Sequence, residues 1–571
     1  MKPILPLALA GLVLAAVPIA GCDNLIEEDL VSEVTAEYFS TPAGLRAAVS
    51  GAYVTLRVFY AREQGSNFTV LGTDQTTYGS HHGAQFLNNY TSELNGTYWG
   101  LNEMWEQFYR AINLTNTAIG RAEGADIPEA EKQSLIAQAK FLRAHYYYLL
   151  VQTFGGVTLK LEETTEVETT AERASEQEVY AAVVADLEAA IADLGYDAGA
   201  SPGLASEPAA KNMLALVLLS RSYTAFAEGD DARRAAELAE SVINDYDFAL
   251  ASSPAEAIVN RANETGPEVI WSVQYNNDIL YNRDVNGNDR GNEMHLFFRP
   301  FYHQINPGLS RVHQPGGGRP WIRFKPTTWA LENFRAVDDL SVDCRYHDYF
   351  QDTWTYNDPN NTTFQGLGAT LQDTALYISA NASITSDAER MAAQEAMRAR
   401  GNEGAVFYTW TQPADRNDGV RMIFPALKKF DDWERESVNY QAGGRDFIVY
   451  RLSETYLIAA EARLKMGQTQ AATDLINVVR RRAACEGVDP SALNVSAGAV
   501  DLDFLLDERA RELYGEQKRW FDLKRTGTLV RRVRAHNPDA APNIQEYHTL
   551  RPIPTNQRDA VENDYPQNPG Y

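Results

Sequence analysis

The chain has 571 residues, with 77 Asp and Glu against 51 Lys and Arg and a formal net charge of −26 at pH 7. That balance excludes a protein that holds nucleic acid through its phosphates, because its overall field repels them. The length suits one large composite body or roughly two to four domains, and aromatic residues at 11%, with 29 Tyr and 9 Trp, can supply a core, stacking surfaces or both.

Lys2 precedes an apolar run from Ile4 to Ala20, which ends in Ile19-Ala20-Gly21-Cys22. A membrane span takes about 20 apolar residues, and a shorter run ending in small residues reads as a secretory signal. The small residues directly before Cys22 resemble a bacterial lipobox, in which the signal is cut ahead of the cysteine and the cysteine is lipidated. The expectation is a signal peptide over 1–21, a lipidated Cys22, an acidic tether over 22–40, and a body held at a membrane surface by acyl chains. Cys344 and Cys485 lie far apart without a C-x-x-C spacing, which gives no support to a zinc or redox site. They either pair as one disulfide or stand as two buried thiols.

Thr41-Pro42 starts a helix reaching about Tyr60, with Thr41 as the cap and proline in the first turn. From Arg62 to Trp99 the periodicity fails and Gly, Asn, Thr and aromatic residues dominate, and long ordered loops of this kind usually carry function. Helices return over 102–121 and 128–154. Ser175 caps another helix to Leu194, with Glu178 completing a capping box. Helices over 207–227 and 232–244 follow, split by Gly229-Asp230-Asp231. Residues 41–247 therefore read as an N-terminal helical-repeat region. Residues 248–444 read as an irregular, loop-rich lobe with one strand at 268–275. Residues 445–571 hold a last repeat and a proline-broken tail. In that last repeat, Arg451 to Arg482, apolar residues recur at three- and four-residue steps on either side of Gly467. Such a hairpin cannot bury both faces alone and needs similar neighbours. The fold class expected is mostly α, a tetratricopeptide-like helical-repeat scaffold of about four hairpins, three N-terminal and one C-terminal, supporting the irregular lobe.

No metalloprotease, nucleophile-elbow, phosphate-loop or dinucleotide motif is present. His295, His303 and His313 are loosely spaced and read as isolated or packed histidines rather than metal ligands. Asp284, Asn286 and Asn288 alternate as in a calcium loop, but Asp289 stands where Gly is needed and His295 where the bidentate Glu belongs. No cofactor is expected, a structural calcium in that oxygen-rich loop being the one alternative. The charged run from Leu506 to Gly527 reads as a solvated, partly buried ion-pair network along helix faces, Arg509 with Glu516 and Arg519 with Asp522 among its pairs.

The aromatic loops carry the functional expectation. A sugar ring presents apolar C–H faces beside hydroxyls, and a site for it combines Trp or Tyr platforms with polar side chains. Tyr78, His81, His82, Asn88, Tyr90, Tyr98 and Trp99 offer that mixture in one loop, and Tyr302, Trp321 and Trp354 offer more in the lobe.

Several stretches resemble the SusD/RagB family of outer-membrane nutrient-binding lipoproteins. They include Trp105-x-x-Phe108-Tyr109-x-x-Ile112-Asn113-x-x-Asn116, the run AKFLRAHYYYLLVQTFGGVTL from Ala139 to Leu159, and Asp343-Cys344-Arg345. The charged helices from Glu508 to Arg525, Arg551-Pro552-Ile553-Pro554 and the closing Gln567-Asn568-Pro569-Gly570-Tyr571 complete the likeness. The resemblance implies four helical-repeat hairpins and an outward-facing lipoprotein of the outer membrane. It also implies a SusC-like TonB-dependent transporter as partner, and capture of oligosaccharides without chemical conversion. Its binding residues sit in variable loops, so no site residue carries over. Thr158 stands where the family commonly has proline. The alternatives are the same scaffold binding peptides, a surface glycan hydrolase, and a repeat protein acting only as a partner surface.

Overall fold

The computed structural model describes residues 37–282, 291–337, 340–360, 366, 369–371, 373–381, 383–402, 404–410 and 422–571. Cys22, the signal peptide, most of the tether and the Asp284, Asn286, Asn288 loop lie outside the described residues.

The scaffold is a row of helices, Pro42–Thr55, Trp99–Arg121, Glu129–Phe154, Glu176–Asp193, Glu207–Arg221, Asp231–Asn244, Leu452–Lys465 and Thr469–Arg482. Each packs on the next in that order. Their ends follow local chemistry. Thr41 accepts the Gly44 amide at 3.1 Å and Pro42 lies in the first turn. Ser175 and Glu178 form the reciprocal capping box. Gly467, at φ 75°, takes the left-handed turn between the last two helices, which an L side chain resists. The middle helix Glu129–Phe154 is buried almost all round in its second half, as a helix flanked on several sides must be. Its three consecutive tyrosines each satisfy a hydroxyl on a different neighbour. Tyr146 donates to the Ala52 carbonyl (2.6 Å) and Tyr147 to that of Lys160 (2.7 Å), while Tyr148 bonds Ser220 (2.8 Å).

Between Asn244 and Leu452 the row is interrupted, and its two ends are tied together. Strand Val269–Val273 pairs antiparallel with Phe447–Arg451. Trp271, fully buried, packs edge-on against Phe141 and His145 of the middle helix. The chain thus leaves and re-enters the row at one place, and Leu452–Lys465 docks on Asp231–Asn244.

The intervening segment is more ordered than its composition suggests. Thr353–Thr355, Thr374–Ser379 and Val406–Thr409 form a three-stranded sheet, antiparallel then parallel. Thr76–Tyr78 pairs with Phe324–Pro326, so the loop after the first scaffold helix is stitched to the intervening segment. Cys344 and Cys485 are joined, their Cα atoms 4.9 Å apart across a sequence separation of 141. The bond fastens the segment to the turn after Thr469–Arg482, where the Cys344 amide also donates to the Ala483 carbonyl (2.9 Å).

The charged run is not a solvated face. Glu512, fully buried, accepts from Arg345, Arg451 and Arg482. Glu508 accepts from Arg345, Arg480 and Arg511. Glu516 takes Arg451 and Lys429. Arg509 pairs with Asp522 (2.7 Å) rather than Glu516, and Arg519 with Asp74 (2.6 Å) rather than Asp522. The pairing expected along one helix fails because the helix breaks at Glu512. Gly515 and Gln517, both at positive φ, turn the chain before Arg519–Arg525 begins. Burial pushes the Glu512 carboxyl up, but Arg482, Arg451 and Arg345 together hold it well below the usual carboxylate range.

Candidate functional site

The stretch QPGGGRPWIRF, residues 314–324, runs along the segment at 296–298. The Trp321 amide donates to the Leu296 carbonyl (2.8 Å) and the Arg323 amide to that of Phe297 (2.9 Å). Between them Ile322 sits at φ 49°, a left-handed conformation that a β-branched residue rarely adopts. Such strain costs on the order of 1–3 kcal/mol and persists only where the surroundings impose it. Here the Ile322 side chain is fully buried, and its carbonyl presses so closely on Gly79 that a Cβ there would lie 2.3 Å from the oxygen. The kink brings two guanidiniums to one indole. Arg323 lies 5.2 Å and Arg319 5.9 Å from the Trp321 ring centre.

Around this indole the surface is built from several elements. Arg323 is held by Glu63 (2.9 Å) and by the His81 carbonyl. The exposed His81 ring meets Phe301 edge-on at 4.6 Å. Arg319 donates to the Asn439 carbonyl (2.8 Å), in the loop that follows a second half-exposed indole, Trp433. Arg299 lies 5.7 Å over the Trp433 ring, and His313 is 6.2 Å from it. Half-exposed indoles beside arginine and histidine donors suit a ligand with flat apolar faces and hydroxyl or acidic edges.

The residues singled out by composition divide clearly. Trp321 and His81 belong to this surface. Tyr78 is half-buried at the end of strand Thr76–Tyr78, opposite Phe324. Trp99, 58% exposed, opens the Trp99–Arg121 helix beside Tyr98. The others are enclosed and offer no open face. His82 bonds Asn67 through Nε2 (2.8 Å) and accepts the Ala84 amide at Nδ1 (3.0 Å). Burial, then Arg323, push it down to about 3, so it stays neutral. Asn88 is buried against Asn89 and Asn537. Tyr90 donates to the Gly72 carbonyl (2.8 Å). Buried Tyr98 is met by the Asn67 amide, the residue that also holds His82. Tyr302 and Trp354 stack in parallel at 5.8 Å inside the core, and the Tyr302 hydroxyl donates to the Gly318 carbonyl (2.8 Å). These two support the loop that carries Arg319 instead of facing a ligand.

Sequence reasoning missed Phe301, Trp433, Arg319 and Arg323. The signal for the arginines was present, since both lie two residues from Trp321. Of the three histidines, His295 is buried, His303 meets Arg311 (3.1 Å) and His313 faces Trp433. Among the described residues, Glu228, Asp230 and Asp231 are the one set with ligand atoms close enough to share a metal ion, and Asp231 is already bound by Arg221 (2.6 Å). No described helix is long and apolar enough to cross a membrane.

Residues 267–571, more than half of the chain, match a family model described as the SusD family. The chain belongs to that family. A second model, described as starch-binding and associating with the outer membrane, matches residues 35–219. The SusD-like protein P2 of Formosa agariphila is similar at 25% identity over 574 residues, 97% of each chain. Among solved structures, a laminarin-binding SusD-like protein superposes with a TM-score of 0.67 at 21% identity, covering 93% of this chain and 100% of that one. Surface glycan-binding protein A from Bacteroides thetaiotaomicron, in complex with laminarihexaose, gives a TM-score of 0.65 at 18% identity over 92% of this chain and 99% of that one. The helical-repeat row of this SusD-family chain is thus the shared fold.

Proposed function

We propose that this SusD-family protein captures a glycan at the surface centred on Trp321 and Trp433 and delivers it, unconverted, to a SusC-like TonB-dependent transporter. Lipidation of Cys22 would hold it on the outer face of the outer membrane. The observation that carries the reading is the pair of half-exposed indoles, each with a guanidinium over its ring, Trp321 being held next to the strained Ile322. Supporting it, one structural relative is named as laminarin-binding and another was solved with laminarihexaose. Each aromatic platform contributes about 0.5–1.5 kcal/mol beyond its buried area. Two platforms with a few hydrogen bonds therefore give binding in the micromolar to millimolar range.

Affinity electrophoresis of the purified protein against a polysaccharide panel tests this. Retardation by at least one glycan is expected, lost in Trp321→Ala and in Trp433→Ala and retained in Trp354→Phe. Binding that survives both alanine variants would move the site elsewhere, with exposed Trp99 the next position to substitute. Release of shortened products from the bound oligosaccharide would refute the claim that the ligand is passed on unconverted.

A further inference from the structure

We propose that the glycan taken at this surface is an acidic one, bearing carboxylate or sulfate groups that the arginines around Trp321 recognise. The inference rests on the glycan-binding reading above and names its ligand class.

Its ground is the pair of guanidiniums, Arg319 and Arg323, over the half-exposed Trp321 ring, in a chain where acidic residues outnumber basic ones by 77 to 51. Arg299 lies over the second indole, Trp433, and Arg435 lies near Arg299 and Arg319. Two carboxylates answer them directly, Glu63 on Arg323 and Asp431 on Arg299. Asp432 is near but is taken by Arg261 (2.6 Å) and by the Glu434 and Gly444 amides. Among the described residues the Arg319 guanidinium hydrogen-bonds only the Asn439 carbonyl, while Arg435 donates to the Asp432 and Tyr440 carbonyls and is drawn by the Asp432 and Asp431 charges.

Unanswered charge of this kind is costly when partly desolvated, and the arginines packed around Glu508, Glu512 and Glu516 do not carry it. Every arginine of the Glu508–Glu512–Glu516 network meets at least one carboxylate. The surface site also holds buried polar atoms without partners, namely both ring nitrogens of His295, Nε2 of His313 and Nε of Arg299. Burial, with Arg435, Arg299, His313 and Arg319 behind it, holds His295 neutral. Arg435 is pushed down to about 10 by burial and by Arg299 and Arg319, against the pull of Asp432 and Asp431. An oxyanion seated beside Trp321 would accept from Arg319 and Arg323 while its ring stacks on the indole. Planar guanidiniums suit carboxylate and sulfate oxygens in this way.

The test compares laminarin, chemically sulfated laminarin and polygalacturonate by affinity electrophoresis and titration calorimetry on the full chain. Tighter binding of either acidic polymer than of laminarin is expected, and the arm that responds distinguishes sulfate from carboxylate. That binding should weaken as NaCl rises from about 0.1 M to 1 M, where the screening length falls from about 10 Å to 3 Å. Arg319→Gln should lower affinity for the acidic polymer about tenfold, the effect of one charged hydrogen bond, and lower it by more than it lowers affinity for laminarin. Trp321→Ala should weaken whichever polymer binds. Equal or tighter binding of laminarin overturns the acidic assignment and leaves the glycan reading standing. Retention of no polysaccharide, or binding only of an acidic peptide, overturns both.

Discussion

Neutralising Glu512 is the sharpest test of how the segment carrying the site is held to the scaffold. The carboxylate is fully buried, 2.6 Å from Arg451 and 3.3 Å from Arg345, with Arg482 as a third donor. The surrounding cluster sets the cations Arg345, Lys429, Arg451, Arg480, Arg482 and Arg511 against the anions Glu268, Asp343, Glu508, Glu512 and Glu516. Glu512→Gln keeps the shape and one acceptor but removes one of those negative charges and leaves the same cations facing a smaller set. Breaking a buried ion pair costs roughly 3–5 kcal/mol. Arg451 retains Glu268 and Glu516, Arg345 retains Asp343 and Glu508, and Arg482 retains Glu268, so the lower end, about 3 kcal/mol, is expected. Urea unfolding followed by tryptophan fluorescence reads this directly, with Glu237→Gln as control. Glu237 pairs with Arg233 where both side chains are about half exposed, and such pairs contribute at most about 1 kcal/mol. If Glu512→Gln lost less than about 1 kcal/mol, the network would not be what fastens segment to scaffold.

The same carboxylates set an acid limb. Asp522 is raised by burial but pulled by Arg509 and Arg525 from 3.8 to about 2, and Glu508 and Glu512 are likewise depressed. Depressed carboxyls contribute stability above their unfolded values, so the urea midpoint should hold down to about pH 4.5 and fall steadily from there towards pH 2; a midpoint unchanged at pH 3 would contradict this. Replacing Cys344 and Cys485 together by serine opens a loop closed across a separation of 141 residues and should cost about 2–4 kcal/mol in urea unfolding, a loss that dithiothreitol should reproduce in the unmodified protein. Gly79→Ala drives a methyl against the Ile322 carbonyl and should cost about 1–3 kcal/mol while lowering glycan affinity through the displaced Trp321. Gly83→Ala, with open space around its Cβ, should change neither, and equal effects at the two glycines would refute the role given to Ile322.

The scaffold helices could be read from sequence because their signals are local. Spacing of three and four fixes a helical face, and Thr41, Ser175 with Glu178, and Gly467 mark ends through contacts within a few residues. The docking of Leu452–Lys465 on Asp231–Asn244 has no such trace, since nothing near either helix records a neighbour some 200 residues away. The site was readable only in part for the same reason. Tyr90, Tyr98, Tyr302 and Trp354 have the right chemistry for a sugar platform, and only the packing of remote chain, such as Asn67 beside Tyr98, removes them from the surface. Trp433 was hidden in the opposite way. It sits in KKFDDWERE, which reads as an exposed charge run, although Lys429, Asp432 and Arg435 are buried.

Arginine does two jobs here, and the chain's own carboxylates separate them. Around Glu508, Glu512 and Glu516 each guanidinium is answered internally, in the dark of the core, where added salt reaches little of the interaction. Around Trp321 the same side chain is brought to the surface beside a strained, buried Ile322, and the Arg319 charge meets only the Asn439 carbonyl. A strained residue that aims a cation and an indole at solvent makes sense when a ligand completes the contact. The two sets should therefore part under salt, with the urea midpoint changing little through the network and ligand affinity at Trp321 falling. Equal sensitivity in both would mean that the surface arginines are packing residues, and that Ile322 is strained for some purpose other than binding.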